Sequence, residues 1–304
     1  MKYLLLTLLL AITFVSNAQQ LTLYNFFYEY PQLQNPAYVG SDLTFTSKYS
    51  TTSIFATYRN QWAGIDGSPE SVSLGINGRI PGQKLGLGFL ITNDVFNIIG
   101  RTSAYANVAY GIELSENQKL RFGLSFGLVQ NRIDFEKIEN ADLDDPAFLD
   151  GNQRSTTIDG GFGLLFTHKD IFELGVSALQ LLGSQTSYAN QSQEQSSTFN
   201  NSTHYLISSK TKIPMTSKVV GLHAIAGLRA IQSLKTSWEL GSRVSAYDVV
   251  WLTAVYRHQA GVNTTLGVKP DEFLKFAYSF EFMTTGLGLS NTGGTHEIGV
   301  HYIF

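Results

Sequence analysis

The chain has 304 residues, of which 43% are hydrophobic, 15% are charged and 28 are glycine, and its formal net charge is −3. So few charges are too thin for an ordinary soluble surface, and the negative balance leaves no basic face for nucleic acid. With no cysteine, stability cannot come from disulfides even in an oxidising compartment.

Met1-Lys2 is a minimal basic start, Tyr3 to Val15 an apolar run, and Ser16-Asn17-Ala18 a small-residue cleavage site before Gln19. The run is too short to span a bilayer and polar sequence follows at once. It reads as a removable secretory signal peptide, residues 1–18, rather than a retained anchor. No later segment approaches ~18 consecutive apolar residues, which excludes an α-helical membrane protein. Residues 19–42 are rich in Tyr and Phe and are expected in the periplasm, ahead of the first strand. Within them, Pro36 and Gly40 of Asn35-Pro36-Ala37-Tyr38-Val39-Gly40 would fix a turn leading the chain onward.

From residue 43 to residue 304 a two-residue alternation dominates, and it predicts an all-β chain of about fourteen antiparallel strands. They fall near 43–61, 69–79, 84–93, 101–114, 119–131, 156–167, 171–182, 203–212, 218–231, 234–245, 248–258, 261–268, 272–284 and 295–304. The stretches 44–58 and 203–212 are the least regular, so twelve or sixteen strands also fit. The first strand ends in Tyr58-Arg59-Asn60-Gln61-Trp62. Arg59 shares a face with Thr57 and Gln61, opposite the apolar one, and Trp62 stands where an interfacial aromatic belongs.

In the third strand Leu85, Leu87, Phe89 and Ile91 oppose Gly86, Gly88 and Thr92. In the fifth, Leu120, Phe122, Leu124, Phe126 and Leu128 oppose Arg121, Gly123, Ser125 and Gly127. Near the end Phe276, Tyr278, Phe280 and Phe282 oppose Lys275, Ala277, Ser279 and Glu281. The last strand sets Ile298, Val300, Tyr302 and Phe304 against Glu297, Gly299 and His301, with Ile303 as the exception, and stops on an aromatic.

Alternation is symmetric, and a soluble sandwich would turn the apolar face inward. Three features turn it outward. The strands have the length of about ten residues that a tilted bilayer crossing needs. The opposite face is Gly, Ser, Thr and lone charges of both signs (Arg79, Arg121, Asp159, Glu173, Arg229, Glu239, Arg243, Lys275, Glu281) that could pair across a lumen. Aromatics cluster near strand ends, as in a girdle. The connections agree: the long ones, near 132–155, 183–202 and 285–294, are all odd-numbered, while 80–83, 115–118, 168–170 and 269–271 are short and even-numbered. The expected fold is a transmembrane outer-membrane β-barrel with short periplasmic turns and longer extracellular loops.

Chemistry is sparse. Asp134 to Asp150 carries Glu136, Glu139, Asp142, Asp144, Asp145 and Asp150, but the spacing does not match a calcium-binding loop, so a solvated acidic loop is expected. Ser184 to Ser202 is rich in Gln, Ser and Asn and reads as a mobile or partner-binding surface loop. The six histidines, 168, 204, 223, 258, 296 and 301, have no metal-ligand spacing. Gly123-Leu124-Ser125-Phe126-Gly127 has Gly-x-Ser-x-Gly spacing but falls inside the alternating fifth strand rather than at the strand-to-helix turn of a nucleophile elbow, and Gly86-x-Gly88 and Gly286-x-Gly288 read as packing glycines. No catalytic residue, metal or cofactor is expected.

Asn35-Pro36-Ala37-Tyr38-x-Gly40 after an aromatic stretch, Tyr58-Arg59-Asn60-Gln61-Trp62, and the closing Gly294-Thr295-His296-Glu297-Ile298 resemble, in that order, the PorP/SprF family of the Bacteroidota type IX secretion system. The likeness covers nearly the whole mature chain. Tyr278-Ser279-Phe280-Glu281-Phe282 departs from the Tyr-Ser-Tyr-Asp pattern of the family. The resemblance implies an outer-membrane component that supports export or surface anchoring of a cognate large cargo protein carrying a type B C-terminal sorting domain, such as a gliding adhesin. It also implies partners among the secretion machinery, its periplasmic ring and peptidoglycan-associated parts, besides the surrounding lipid. A small-solute or hydrophobic-substrate channel is the alternative, since a barrel of this size must be plugged or conduct.

Overall fold

In a bilayer every strand edge must find a partner, and an alternating chain can satisfy that only by closing on itself. The computed structural model describes residues 21–41, 51–134, 152–183, 185–189, 196–200, 202–217, 219–231, 236–284 and 292–304. The strands are β1 (Thr52–Asn60), β2 (Glu70–Arg79), β3 (Leu85–Phe96), β4 (Ile99–Ser115), β5 (Gln118–Asp134), β6 (Asn152–His168) and β7 (Phe172–Leu179). After these come β8 (Gln185–Ala189), β9 (Ser196–Asn200), β10 (His204–Ile213), β11 (Val220–Ile231), β12 (Ser237–Ala246), β13 (Val250–Arg257), β14 (Gly261–Val268), β15 (Leu274–Met283) and β16 (Thr295–Ile303). All but β8 and β9 form one closed antiparallel barrel of 14 strands, sealed by pairing of β1 with β16.

Three expectations need correction. The first strand begins at Thr52, not 43, and residues 42–50 lie outside the described residues. The Gln- and Ser-rich segment is not simply a loop: β8 and β9 pair as a separate two-stranded hairpin beside β6. The third is the larger change. Residues 21–41 do not sit beneath the barrel but inside it. The acidic segment 135–150 lies outside the described residues.

The two faces fall as alternation requires. Leu124, Phe126 and Leu128 are exposed on the outer wall, whereas Gly123 and Gly127 are buried against the lumen. On the outward face the apolar belt ends at one side in polar cross-strand pairs, Asn60 with Glu70, Thr102 with Asn93 and Gln130 with Thr156. At the other side it ends in aromatics, where the Phe273, Tyr302 and Phe304 rings lie 6.5 and 5.6 Å apart in sequence along the rim. The chain closes at this aromatic end, and the short turns 80–84, 116–117 and 169–171 are here too, so it faces the periplasm. The strand ends Asn60 and Glu70, Asp134 and Asn152, Leu179 and His204, and Met283 and Thr295 are at the outer end, although 97–98 and 258–260 at that end are tight turns.

Candidate functional site

A lumenal wall of Gly, Ser and Thr is compatible with water, but here it holds chain. Residues 21–41 enter the outer half of the lumen, where the Leu21 amide donates to His204 Nε2 (3.4 Å) and the Thr22 hydroxyl to Asp94 (2.5 Å). The segment then descends toward the periplasm. The Tyr28 hydroxyl lies 2.6 Å from Thr265 Oγ1, Arg243 reaches Glu29 at 2.9 Å, and Tyr30 stacks on Phe55 at 4.9 Å between centroids. Two short 3-10 turns, Pro31–Leu33 and Pro36–Tyr38, fold it back toward the opposite wall before it leaves at Ser41.

Hydrophobic burial holds the plug's aromatic part. Tyr24, Phe26, Tyr30 and Leu33 cluster with the wall residues Phe55, Leu90, Trp251 and Ala277, and Phe27 and Tyr28 with Ile225 and Val255. Each of these rings contributes about 2–3 kcal/mol relative to a water-filled lumen. Burial also pushes the phenols of Tyr24, Tyr28, Tyr30 and Tyr38 well above the ordinary tyrosine value, with the carboxylates of Asp94, Glu29, Glu173 and Glu297 adding to it. The space left between the plug and the β3–β7 wall, next to Leu33 and Leu90, is about 60 Å³, room for about two waters.

The second part of the plug is held by backbone proximity. The Asn35 side chain caps the second turn by accepting from the Ala37 amide and donates to the carbonyls of Leu164 (2.9 Å) and Val176 (3.3 Å). Arg121 donates to the carbonyls of Ala37 (3.1 Å) and Val39 (2.6 Å). These approaches need wall positions without side chains. A Cβ on Gly163 would overlap Asn35 Oδ1, and one on Gly123 would stand 2.6 Å from Ala37 Cα and nearer still to its amide nitrogen. Gly40 adopts φ +68°, and a Cβ there would meet Gly86 Cα at 2.5 Å, so only glycine fits.

Between the plug and the closing seam runs a buried charge network. Arg59 Nη1 is 3.4 Å from Glu297 and its Nη2 3.3 Å from Glu281, and Arg257 donates to Glu281 (3.0 Å) and Glu239 (2.9 Å). Arg229 is buried next to Glu239, so three guanidiniums face three carboxylates. The plug's backbone takes part in this network: the Asn25 amide donates to Glu297 (2.7 Å), Asn263 donates to the Asn25 carbonyl (3.1 Å), and Arg257 donates to the Tyr24 carbonyl (3.1 Å). Arg59, Arg257, Glu239, Glu281 and Glu297 are tolerated in the interior because each is paired and hydrogen-bonded.

The motif residues thus fall into two groups. Asn35, Pro36, Tyr38 and Gly40 form the plug turn. The other two motifs meet across the β1–β16 seam, where Arg59 is directly opposite Glu297 and Asn60 opposite His296. Arg59 and Glu297 point into the lumen; on the outward side Tyr58 and Asn60 both reach Glu70 (3.1 Å), and His296 Nδ1 pairs with the Tyr278 hydroxyl at 2.7 Å. The Gln61 amide donates to the Pro69 carbonyl, the Trp62 amide to Thr295 Oγ1 (3.4 Å), and Gly294 takes φ +82° to turn into β16. Sequence reading placed Arg59 on the lumen side but missed Asn25, Glu29, Arg257 and Asn263. Among the described residues no group of three or more His, Asp or Glu is placed to hold a metal.

Known proteins give three findings. A family model described as type IX secretion system membrane protein PorP/SprF matches residues 16–302. A mutant of the monoaromatic hydrocarbon channel TodX superposes with TM-score 0.51 at 8% identity, covering 90% of this chain and 93% of its own; the channel CymD gives 0.50 at 11%, covering 90% and 92%. Omp33 of Acinetobacter baumannii gives 0.48 at 6%, covering 84% and 98%. At such identities the TodX and CymD likenesses speak for the barrel fold alone. No curated protein matches.

Proposed function

The chain belongs to the PorP/SprF family of type IX secretion system membrane proteins, and on that premise we propose that it works in the outer membrane as a plugged, non-conducting barrel that supports export or surface anchoring of a cognate cargo. The observation that carries the reading is the occupied lumen. Phe26 and Ala37 of the plug are fully buried, and the plug's backbone is bonded into the charge network that a solute path would need as its lining. A lumen so filled suits a protein-contact role at the rims better than diffusion of a solute.

On this reading the cargo, of the class with a type B C-terminal sorting domain, is met by the outer connections, whose Gln, Ser, Asn and acidic side chains suit a wet interface. The aromatic rim and short turns face the periplasmic machinery. Export begins with removal of residues 1–18. Two measurements test the reading. The purified protein in a planar bilayer should be silent, and shortening 184–202 to a tight turn should leave the barrel folded while lowering cargo display. Steady conductance of the unaltered protein, with full display after the loop is shortened, would favour the channel reading that the TodX and CymD folds suggest.

A further inference from the structure

The lumen's periplasmic mouth holds a second cavity, about 280 Å³, that the plug only borders. Its wall brings together Lys210, His223, Arg243, Lys269 and Lys275 from β10, β11, β12, the β14–β15 turn and β15, with Tyr28, Ser245 and Trp251 between them. Three carboxylates answer these cations. Glu173 pairs with Lys210 at 2.7 Å, Glu29 of the plug pairs with Arg243 at 2.9 Å, and Asp248 stands at the edge. Lys269 and Lys275 have no ion pair or side-chain hydrogen bond among the described residues. Arg243 is fixed, its guanidinium 4.5 Å over the Trp251 ring while it binds Glu29.

From this arrangement we propose that the periplasmic mouth is a binding site for an acidic, extended polypeptide segment, whose carboxylates are taken by Lys269 and Lys275. Glu29 shows how this wall receives a carboxylate from a peptide chain: the plug already places one against Arg243, and the neighbouring lysines provide the next positions along the rim. The size sets the form of the ligand. About 280 Å³ is the volume of roughly nine waters, enough for one or two side chains and too small for a folded domain. The site opens inside the barrel rim, and the strand wall separates it from lipid, so a membrane headgroup does not reach it. Two lysines, a fixed arginine and an aromatic floor give a salt-sensitive, carboxylate-selective contact.

The test uses the full-length protein in nanodiscs and a fluorescein-labelled hexaglutamate peptide, read by anisotropy at low salt. Binding is expected, with hexalysine giving none, and Lys269→Gln combined with Lys275→Gln should weaken it at least tenfold while heat-modifiable migration stays unchanged. Lys84→Gln, a charge removed at another part of the same rim, should bind like the parent. The proposal is overturned by equal affinity of the double variant and the parent, by an equal loss in Lys84→Gln, or by no binding to the parent. Competition separates the sources of negative charge: if inorganic phosphate displaces the probe at lower concentration than unlabelled hexaglutamate does, the site belongs to a free anion and not to a peptide. None of these readouts depends on cargo display or conductance, so this site and the outer-loop role can fail independently.

Discussion

Replacing Gly123 by alanine should unseat the plug without touching the barrel's own hydrogen bonds. The added methyl would stand 2.6 Å from Ala37 Cα and nearer to the Pro36–Ala37 peptide, where carbon atoms pack at about 3.5–4.0 Å. The obstacle is backbone, not a rotatable side-chain tip, so the turn Pro36–Tyr38 must move by about 1 Å or more. Such a shift breaks the Arg121 bonds to the carbonyls of Ala37 and Val39 and loosens the Asn35 bonds to Leu164 and Val176. Neutral bonds contribute about 0.5–1.5 kcal/mol and charged ones about 1.5–3 kcal/mol, so losing about half of this set costs about 2–4 kcal/mol of local stability. At 1.4 kcal/mol per tenfold, the displaced turn becomes about 30- to 1,000-fold more populated. Hydrogen exchange of the amides of residues 37–41 should quicken by that factor, and brief conducting events should appear in a planar bilayer. Gly78→Ala is the control, because a Cβ there meets nothing nearer than 3.6 Å. Unchanged exchange in Gly123→Ala would refute the claim that wall glycines exist to seat the plug.

Three further perturbations probe the wall, the seam and the plug's phenols. Leu124→Arg, at an outward position 57% exposed, should cost about 2–4 kcal/mol near the bilayer midplane, whereas lumen-facing Ser125→Ala should cost far less; equal loss of heat-modifiable barrel would reverse the two faces. Glu297→Ala leaves Arg59 and the Asn25 amide without that carboxylate and should destabilise by about 3–5 kcal/mol, while Arg59→Met with Glu297→Leu, which leaves two guanidiniums against two carboxylates, should recover most of it in a urea titration. Tyr24, Tyr28, Tyr30 and Tyr38 have raised folded values, so their contribution is complete below the ordinary tyrosine value near 10 and is lost as pH rises beyond it; phenolate absorbance should therefore appear together with plug release in alkali, and independent early titration of all four would contradict their burial.

The barrel was legible because lipid imposes period two on every crossing, and strands such as β5 and β15 show it without interruption. The plug was not, because residues 21–41 carry no period and a lumenal row of Gly and Ser looks the same whether water or peptide lies against it. The signal was present as exceptions. Leu90, Leu165, Ile225, Trp251, Val255 and Ile303 are apolar side chains at lumen-facing positions, which a watery channel would not favour, and the first five pack on the plug. Phe55 is a further case: its parity is lumenal, and its ring lies on Tyr30. Likewise the three motifs could be read only as separate turns. That two of them meet at the seam follows from closure, which joins residues more than two hundred positions apart.

Closure and plugging share one carboxylate. Glu297 stands opposite Arg59 in the β1–β16 register, and the same Oε2 atom receives both the Arg59 guanidinium and the Asn25 amide. Arg59 in turn reaches Glu281, which Arg257 also holds, and Arg257 binds the Tyr24 carbonyl. A seam is where a barrel would otherwise be held only by its ladder and by outward side chains, since its two strands come from opposite ends of the chain. Here the plug's Tyr24–Asn25 backbone spans the ends of a network whose centre is the seam ion pair. Each buried charge needs its neighbours, so strand pairing places the carboxylates that fix the plug, and the seated plug satisfies groups that pairing alone leaves buried. The N-terminal segment is therefore part of the barrel's interior structure, and the periplasmic and outer rims are the surfaces left for partners.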